Sequence, residues 1–417
     1  MAAGLKYREK TTVAVVASIV FIDMLGLGLI LPVMPGLLGE LTGAGPADAA
    51  AYGGLLLLSY AAMQFLFAPV IGNLSDRFGR KPVLLATLFA LAIDYLIMAF
   101  APSLTWLVIG RILAGIMGAA WVAANSCIAD VMPVDRRGSG FGWIAGAGAA
   151  GIVLGPVAGG VTGEFGIRVP FLLAAGLALL GAIIGWFVLH ETLSKDARSP
   201  FRLASINPLA VLFRVARNPV ISTCLVAIFL VQLSSQAHMS IWAFWGEQRF
   251  GWTPFLSGLT ASMFAVVLGT VQAVLTGPSI ARFGALPAAI GALVFGIPSY
   301  LLLAFAPSMG FVLLAIVLGG LTGIAFPALQ TMMTAQTDKS AQGELQGAIG
   351  STHSLSAMVG PILMTQVFAH SADDQGVYFP GAAFVLATCL LCIAIVLLLS
   401  RKSEIERRVG ASASTAD

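Results

Sequence analysis

Twelve apolar stretches of about 20 residues divide this chain, at about 12–35, 51–74, 82–101, 104–127, 140–163, 169–190, 219–245, 255–280, 285–306, 309–329, 344–369 and 377–400. A run of that length crosses roughly 30 Å of hydrocarbon as an α-helix. Lipid offers the backbone no hydrogen-bond partner, so a spanning segment satisfies its own, as a helix or in a closed barrel. Alternating strand-length segments of a barrel are absent, which leaves helices. Composition agrees: 58% of the 417 residues are hydrophobic and 10% are charged, where a soluble domain carries about 25%. The first run follows Lys6, Arg8 and Lys10, as in a signal peptide, but it is long, contains Asp23 and shows no clear small-residue cleavage site. It reads as a retained first helix.

Lys and Arg counting sets the orientation. With the N-terminus inside, nineteen of the 22 basic residues fall in inside segments. Only Arg168 and Arg249 fall outside, and Arg111 lies within a span. Both termini are therefore expected in the cytoplasm, with an even number of spans. The net charge of +3 is orientation information and not a nucleic-acid footprint. The longest connection, 191–218, separates six spans from six. The expected organisation is an N-terminal six-helix bundle (1–190), a cytoplasmic central loop (191–218), a C-terminal six-helix bundle (219–400) and a cytoplasmic tail (401–417).

The halves repeat each other. Gly72-Asn-Leu-Ser-Asp76-Arg77-Phe78-Gly79-Arg80-Lys81-Pro82 aligns with Gly277-Pro-Ser-Ile-Ala281-Arg282-Phe283-Gly284-Ala-Leu-Pro287 at an offset of 205. At the same offset Tyr95-Leu-Ile-Met-Ala-Phe-Ala-Pro-Ser103 aligns with Tyr300-Leu-Leu-Leu-Ala-Phe-Ala-Pro-Ser308. Both loops face inside, so the repeats are parallel, an arrangement that places a substrate near the midplane between two halves. The fold class is thus an all-α membrane protein of twelve transmembrane helices in two parallel-repeat six-helix bundles.

Charges within spans are costly and mark function by default. Three stand out: Asp23, Asp94 and Arg111. At 1.5 Å per residue, Asp23 lies roughly 19 Å from Lys10, Asp94 roughly 18 Å from Pro82, and Arg111 roughly 12 Å from its outer helix end. The three share one depth. Apolar burial raises a carboxylate's proton affinity and a neighbouring arginine lowers it, so a carboxylate whose surroundings change between two conformations takes up and releases protons. A static ion pair tying helices together is the alternative for the same residues.

The Gly72–Pro82 loop reads as a gate. Asp76, Arg77, Arg80 and Lys81 stand at the cytoplasmic lip, and Gly72 and Gly79 permit close approach and a tight turn. Asp76 is expected to bond a helix N-terminus or a nearby arginine, latching one conformation shut. The second copy has Ala281 in place of Asp76. The fifth span carries Gly142, Gly146, Gly151, Gly155-Pro156 and Gly159-Gly160, a small-residue face for backbone-to-backbone contact with a proline bend. The eleventh repeats the theme with Gly343, Gly347, Gly350 and Gly360-Pro361.

Candidate cavity side chains are Gln64, Gln236, His238, Gln272 and His353, with Gln232, Trp242 and Trp245 near them. A buried amide more often bridges helices than touches a ligand, and a lone histidine in a span is more often structural, so that is the alternative for each. Cys127, Cys224, Cys389 and Cys392 lie in apolar segments and read as packing residues. No GxxxxGK[ST] loop is present, so nucleotide drive is not expected. Nor is a cofactor, a metal site or enzymatic activity.

The Gly72–Pro82 loop, Gly110-Arg111-Ile-Leu-Ala-Gly115-Ile-Met-Gly118-Ala119, and Gly151-Ile-Val-Leu-Gly155-Pro156-Val-Ala-Gly159-Gly160 together resemble the major facilitator superfamily. The last of these resembles the motif of its drug/proton antiporters. Asp23 through Pro35, Tyr60-Ala-Ala-Met-Gln64, Asp94-Tyr95, Phe141-Gly142-Trp143, Trp245 through Phe250, Pro327 through Gln330 and Gly343 through Gly347 resemble the tetracycline efflux proteins. The resemblance covers about residues 12–400. It implies the major facilitator fold and export of a tetracycline-like drug, as a divalent-cation chelate, in exchange for a proton. An exporter of another amphipathic drug or metabolite is the alternative. It also implies substrate and proton handling by Asp23 and Asp94, gating by Asp76, Arg77 and Arg111, and a monomer in the inner membrane whose partners are drug, protons and lipid. Two positions depart from the subfamily pattern. Its eighth-span histidine falls at Leu268 and its ninth-span aspartate at Gly296, while Ser299 holds the repeat position of Asp94. His238 and His353 are the candidate replacements.

Overall fold

A computed structural model describes residues 2–118, 120–194, 214–338, 341–372 and 378–405, with positions 196, 198, 212 and 407. Side chains before Glu9 lie outside the description. So do Ala119, Lys195, Arg202, Lys339, Arg408, most of the central loop and most of the tail. Every described element is helical. They are α1 (Ala2–Ile30), a 3₁₀ turn (Leu31–Val33), α2 (Met34–Thr42), α3 (Pro46–Phe78), α4 (Arg80–Phe100), α5 (Leu104–Met117), α6 (Ala120–Val131), α7 (Arg137–Gly163) and α8 (Val169–Val188). After the central loop come α9 (Pro219–Phe250), α10 (Pro254–Val274), α11 (Thr276–Phe283), α12 (Ala285–Ala304), α13 (Met309–Gly320), α14 (Ala325–Ala335), α15 (Gln342–Ser371) and α16 (Ala382–Ser400), with further 3₁₀ turns at Val134–Arg136 and Leu321–Ile324.

Among the described residues, eleven helical stretches are long and apolar enough to cross a membrane, so the chain is a multi-pass membrane protein. The stretch expected as the eleventh span is α15. It is long enough at 30 residues but is missing from the apolar set, because Gln342, Glu344, Gln346, Ser351, Thr352, His353 and Ser356 interrupt it. The expected first span is longer than its apolar run. It continues through a 3₁₀ turn at Pro32 into α2, since each proline removes an amide donor. The expected fourth span is broken into α5 and α6 near Gly118.

The chain divides into two compact units, residues 1–206 with 250–262, and residues 207–249 with 263–417. In the first unit α1 packs along α7, α4 along α8 and α3 along α5. In the second, α12 packs against α13 and α16. The α1–α7 contact explains the glycine pattern of the fifth span. A Cβ on Gly155 would lie 2.7 Å from the Gly28 Cα, and one on Gly151 2.7 Å from the Phe21 carbonyl oxygen. One on Gly159 would overlap the Leu29 carbonyl. Gly142 and Gly146 face open space, with nothing within 4 Å. Gly155→Ala is therefore expected to destabilise the protein by about 1–3 kcal/mol through overpacking. Gly146→Ala should be neutral or slightly stabilising, because alanine favours a helix by up to about 1 kcal/mol over glycine. Thermal unfolding of the two variants in detergent checks the contrast.

Also within the first unit, α7 meets the start of α10. A Cβ on Gly160 would lie 2.6 Å from the Pro254 carbonyl oxygen. At the Pro156 bend the Ser262 hydroxyl accepts from the Val157 amide (3.1 Å) and donates to the Val153 carbonyl (2.6 Å), entering the helix's own ladder.

The repeat is visible in backbone detail. Gly79 and Gly284, related by the offset, both have positive φ, +109° and +83°, and both precede a helix start that only glycine serves without strain. The two arginines that positive-inside counting places outside have a local task. Arg168 Nη1 donates to the carbonyls of Ala99 (2.8 Å) and Ala101 (3.2 Å) and also pairs with Glu40. Arg249 Nη2 donates to the carbonyl of Ala306 (3.4 Å), the repeat partner of Ala101. Each satisfies carbonyls left open where a span ends.

Candidate functional site

In the first unit four helices bring Asp23, Tyr60, Gln64, Asp94, Tyr95 and Arg111 into one neighbourhood. Asp94 on α4 is fully buried and Arg111 on α5 is 5% exposed. The two form an ion pair, with Arg111 Nε also donating to Asp94 Oδ1 at 3.3 Å. Gly110 makes room for it: a Cβ there would come within 2.7 Å of Asp94 Oδ1. The Arg111 guanidinium also lies over the Tyr60 ring, 5.6 Å from its centroid, an arrangement that favours a cation.

Asp23 on α1 is 7% exposed. Among the described residues it forms no ion pair and no side-chain hydrogen bond. Tyr60 and Tyr95 lie within electrostatic reach of it, and the Tyr95 hydroxyl packs against Gly26, one turn on from Asp23. The structure therefore brings Arg111 to Asp94 and leaves Asp23 as the unpaired acid of the group. Depth along a helix placed these three charges near one level; it carried no information about which acid Arg111 takes.

Gln64 serves the broken fourth span. Its amide donates to the Gly118 carbonyl (2.6 Å) and to Tyr60 Oη (3.3 Å). A carbonyl released by a helix break in lipid needs such a partner. Gln64 is the helix bridge that sequence reading held open as an alternative to a cavity contact.

The Gly72–Pro82 loop is organised around Arg80. Its guanidinium bonds Asp76 (2.5 Å), Ser75 Oγ (3.2 Å) and Asp130 on α6 (3.0 Å). Asp76 thus takes a nearby arginine. The helix N-terminus goes to another residue, Glu191, whose carboxylate accepts from the amides of Arg80 (2.8 Å) and Lys81 (3.3 Å). A Cβ on Gly79 would overlap that carboxylate. Lys81 Nζ donates to the Trp186 carbonyl (2.7 Å). Arg77 is exposed and lies over the Phe78 ring. Gly72 has nothing within 4 Å of a Cβ, so its role in the turn is not one of close approach.

Sequence reading passed over Asp130 and Glu191. The available signal was an acid at the basic-rich end of two spans, where a lone carboxylate has arginine and free amides for partners. At the repeat position a Cβ on Gly284 would meet Pro287 at 3.8 Å and, among the described residues, no carboxylate within 4 Å.

The second unit is different in kind. Ser299, at the repeat position of Asp94, donates to the Ala315 carbonyl at 2.8 Å, and Ala315 is the repeat partner of Gly110. The same helix crossing thus carries an ion pair in one half and a neutral hydrogen bond in the other. Gln232 meets His353 Nδ1 at 2.5 Å, and Phe326 stands edge-on to the His353 ring at 5.1 Å. Gln236 packs against Gly360. Gln272 is exposed on α10 and joins neither group. His238 is surrounded by Trp242, Phe264, Tyr300 and Phe384. The last three were not singled out from the sequence, because aromatic residues on apolar helices look alike until packing brings them together. Among the described residues no group of three or more His, Cys, Asp or Glu is placed to hold a metal ion.

Comparison with known proteins fits this layout. The sequence profile described as Major Facilitator Superfamily matches residues 16–285 and 224–415. The chain is 39% identical to the tetracycline resistance protein, class C, of Escherichia coli, over 94% of this chain and 97% of that protein. It is 35% identical to the class E protein of Escherichia coli, over 93% and 94%. Among solved structures, a bacterial homolog of the human lysosomal transporter Spinster, in an inward-facing and occupied conformation, superposes with a TM-score of 0.78 at 17% identity, over 94% of this chain and 96% of that one. That likeness concerns the fold. With a profile that spans nearly the whole chain and relatives well above 30% identity, the chain belongs to the major facilitator superfamily of transporters, in the group that includes the tetracycline resistance proteins.

Proposed function

We propose that this protein exports a tetracycline-like drug from the cytoplasm in exchange for a proton, by alternating access, with both termini in the cytoplasm and the chain in the inner membrane. The observation that carries the reading is the asymmetric acid set of the first unit. Asp94 is bound to Arg111, and Asp23, close by, is buried without an ion-pair partner. An unpaired buried carboxylate is the group whose charge is least compensated, so it responds most to a change in hydration or to an arriving cation. Asp94 and Arg111 hold that environment in place. The relatives named for tetracycline resistance support the drug class.

Asp23→Asn in inverted membrane vesicles is the direct test. It is expected to remove pH-gradient-driven tetracycline uptake into the vesicles while leaving the amount of folded protein unchanged. Wild-type uptake in the variant would overturn the assignment of Asp23.

A second reading is favoured by the second unit. Leu268 and Gly296 are uncharged, Ser299 is satisfied by backbone, and the aromatic rings around His238 replace ionisable groups. A dehydrated chelate needs polar groups in place of its water. This uncharged set suits an amphipathic drug with less polar surface. Susceptibility of expressing cells to tetracyclines and to unrelated amphipathic cations separates the two.

A further inference from the structure

The imidazole of His238 lies in a cage of rings from four helices. Phe264 on α10 stacks on it with centroids 4.4 Å apart and planes at 9°. Trp242, one turn along α9, stacks at 5.2 Å and 25°. Tyr300 on α12 is tilted at 5.2 Å, and Phe384 on α16 stands edge-on at 6.0 Å. Both ring nitrogens are fully enclosed, and among the described residues neither has a hydrogen-bond partner. A buried polar side chain kept for structure is nearly always bonded, and an exception calls for an explanation. The residue as a whole is nonetheless part-exposed.

We propose that this cage is a subsite for a planar aromatic cation, and that the His238 imidazole is a placeholder which the cation displaces. The proposal rests on the second of the two readings above, export of an amphipathic drug, and names a substrate class for it. Aromatic faces carry negative potential and attract cations, most strongly weakly hydrated ones. Near-parallel stacking on Phe264 and Trp242 selects a flat ring. The Tyr300 hydroxyl is committed to the Ser234 carbonyl (3.1 Å), and the four side chains stacked or edge-on to His238 are uncharged aromatics, a set that favours a flat organic cation over a hydrated metal complex. Leu268 and Gly296 lie one helical turn from Phe264 and Tyr300, and both are uncharged. The imidazole is easy to displace because leaving breaks no hydrogen bond, and both nitrogens gain water partners outside.

The test uses the full chain in lipid nanodiscs with ethidium as the planar cation and phenanthridine as its uncharged counterpart. Binding is read by tryptophan quenching and by ethidium emission. His238→Ala empties the cage and is expected to tighten ethidium binding about tenfold. His238→Phe fills it with a ring that gains nothing by leaving, and Phe264→Ala removes the stacking face; each should weaken binding at least tenfold. Phenanthridine should respond much less. Equal ethidium affinity in wild type, His238→Phe and Phe264→Ala overturns the proposal even if His238→Ala does not fold. Weaker binding in His238→Ala also overturns it, since the imidazole would then be part of the binding surface. Binding needs no proton gradient, so the result stands apart from the Asp23→Asn vesicle assay: either can fail alone.

Discussion

Asp94→Asn is expected to abolish export, and Arg111→Ala to remove most of the folded protein. The two partners are 0% and 5% exposed. Breaking such a pair leaves an uncompensated charge in a low-dielectric interior, at a cost of about 3–5 kcal/mol, a large share of a marginal stability. Asparagine keeps the shape of the aspartate but cannot neutralise Arg111, so Asp94→Asn should lose folded yield as well as transport. The informative variant is Asp94→Asn with Arg111→Gln. Two neutral amides of similar size fit the space that Gly110 leaves, and folded yield should recover towards wild type. If the pair serves only to hold α4 against α5, transport recovers with it. If the charges take part in the cycle, folded protein accumulates and export stays below about one hundredth of wild type. Fluorescence-detected size exclusion measures the first quantity and inverted vesicles the second. Full transport by the double variant would show the pair to be structural.

That pair also shows where sequence reading succeeds and where it stops. An ion within an apolar run is conspicuous, because lipid gives it no partner, so Asp23, Asp94 and Arg111 were legible one by one. Which acid Arg111 chooses depends on helix rotation and crossing, and neither is written in hydropathy. The offset of 205 made the repeat legible, down to the turn glycines Gly79 and Gly284 with their positive φ, and it extends to a feature no motif announced: arginine donors on Ala101 and Ala306. The departure from helix at Gly118 was hidden, since an interrupted span is as apolar as a continuous one; Gln64 was the visible clue to it. Asp130 and Glu191 were missed for a related reason. An acid at a span end looks like ordinary loop composition, and only the fold brings it to Arg80.

The second large effect is expected at that cluster. Arg80 holds Asp76, Ser75 and Asp130 together at one end of the first unit. If the cluster latches the loop, the damage done by each variant should follow burial. The Asp76 side chain is 49% exposed and that of Asp130 is 22% exposed. An exposed pair is worth about 0–1 kcal/mol, and a better shielded hydrogen bond to a charge about 1.5–3 kcal/mol. Arg80→Ala removes all three contacts and leaves two carboxylates without their shared cation, so it should exceed either single aspartate change. A native reporter lies beside the cluster. Cys127 is buried, and its sulfur is 3.8 Å from the Thr192 hydroxyl, which also contacts Asp130. With Cys224, Cys389 and Cys392 replaced by serine or alanine, maleimide labelling of Cys127 reads how often this region opens. Labelling should be slow in the parent and at least tenfold faster in Arg80→Ala. Asp130→Asn should fall between, and Asp76→Asn should lie nearest the parent. Glu191→Gln should speed labelling too, because the amides of Arg80 and Lys81 lose a charged acceptor. Export should fall in the same order. Labelling that stays at the parent rate in all four variants would reduce the loop to a topology signal, and a larger effect from Asp76 than from Asp130 would place the latch at the exposed end of the cluster.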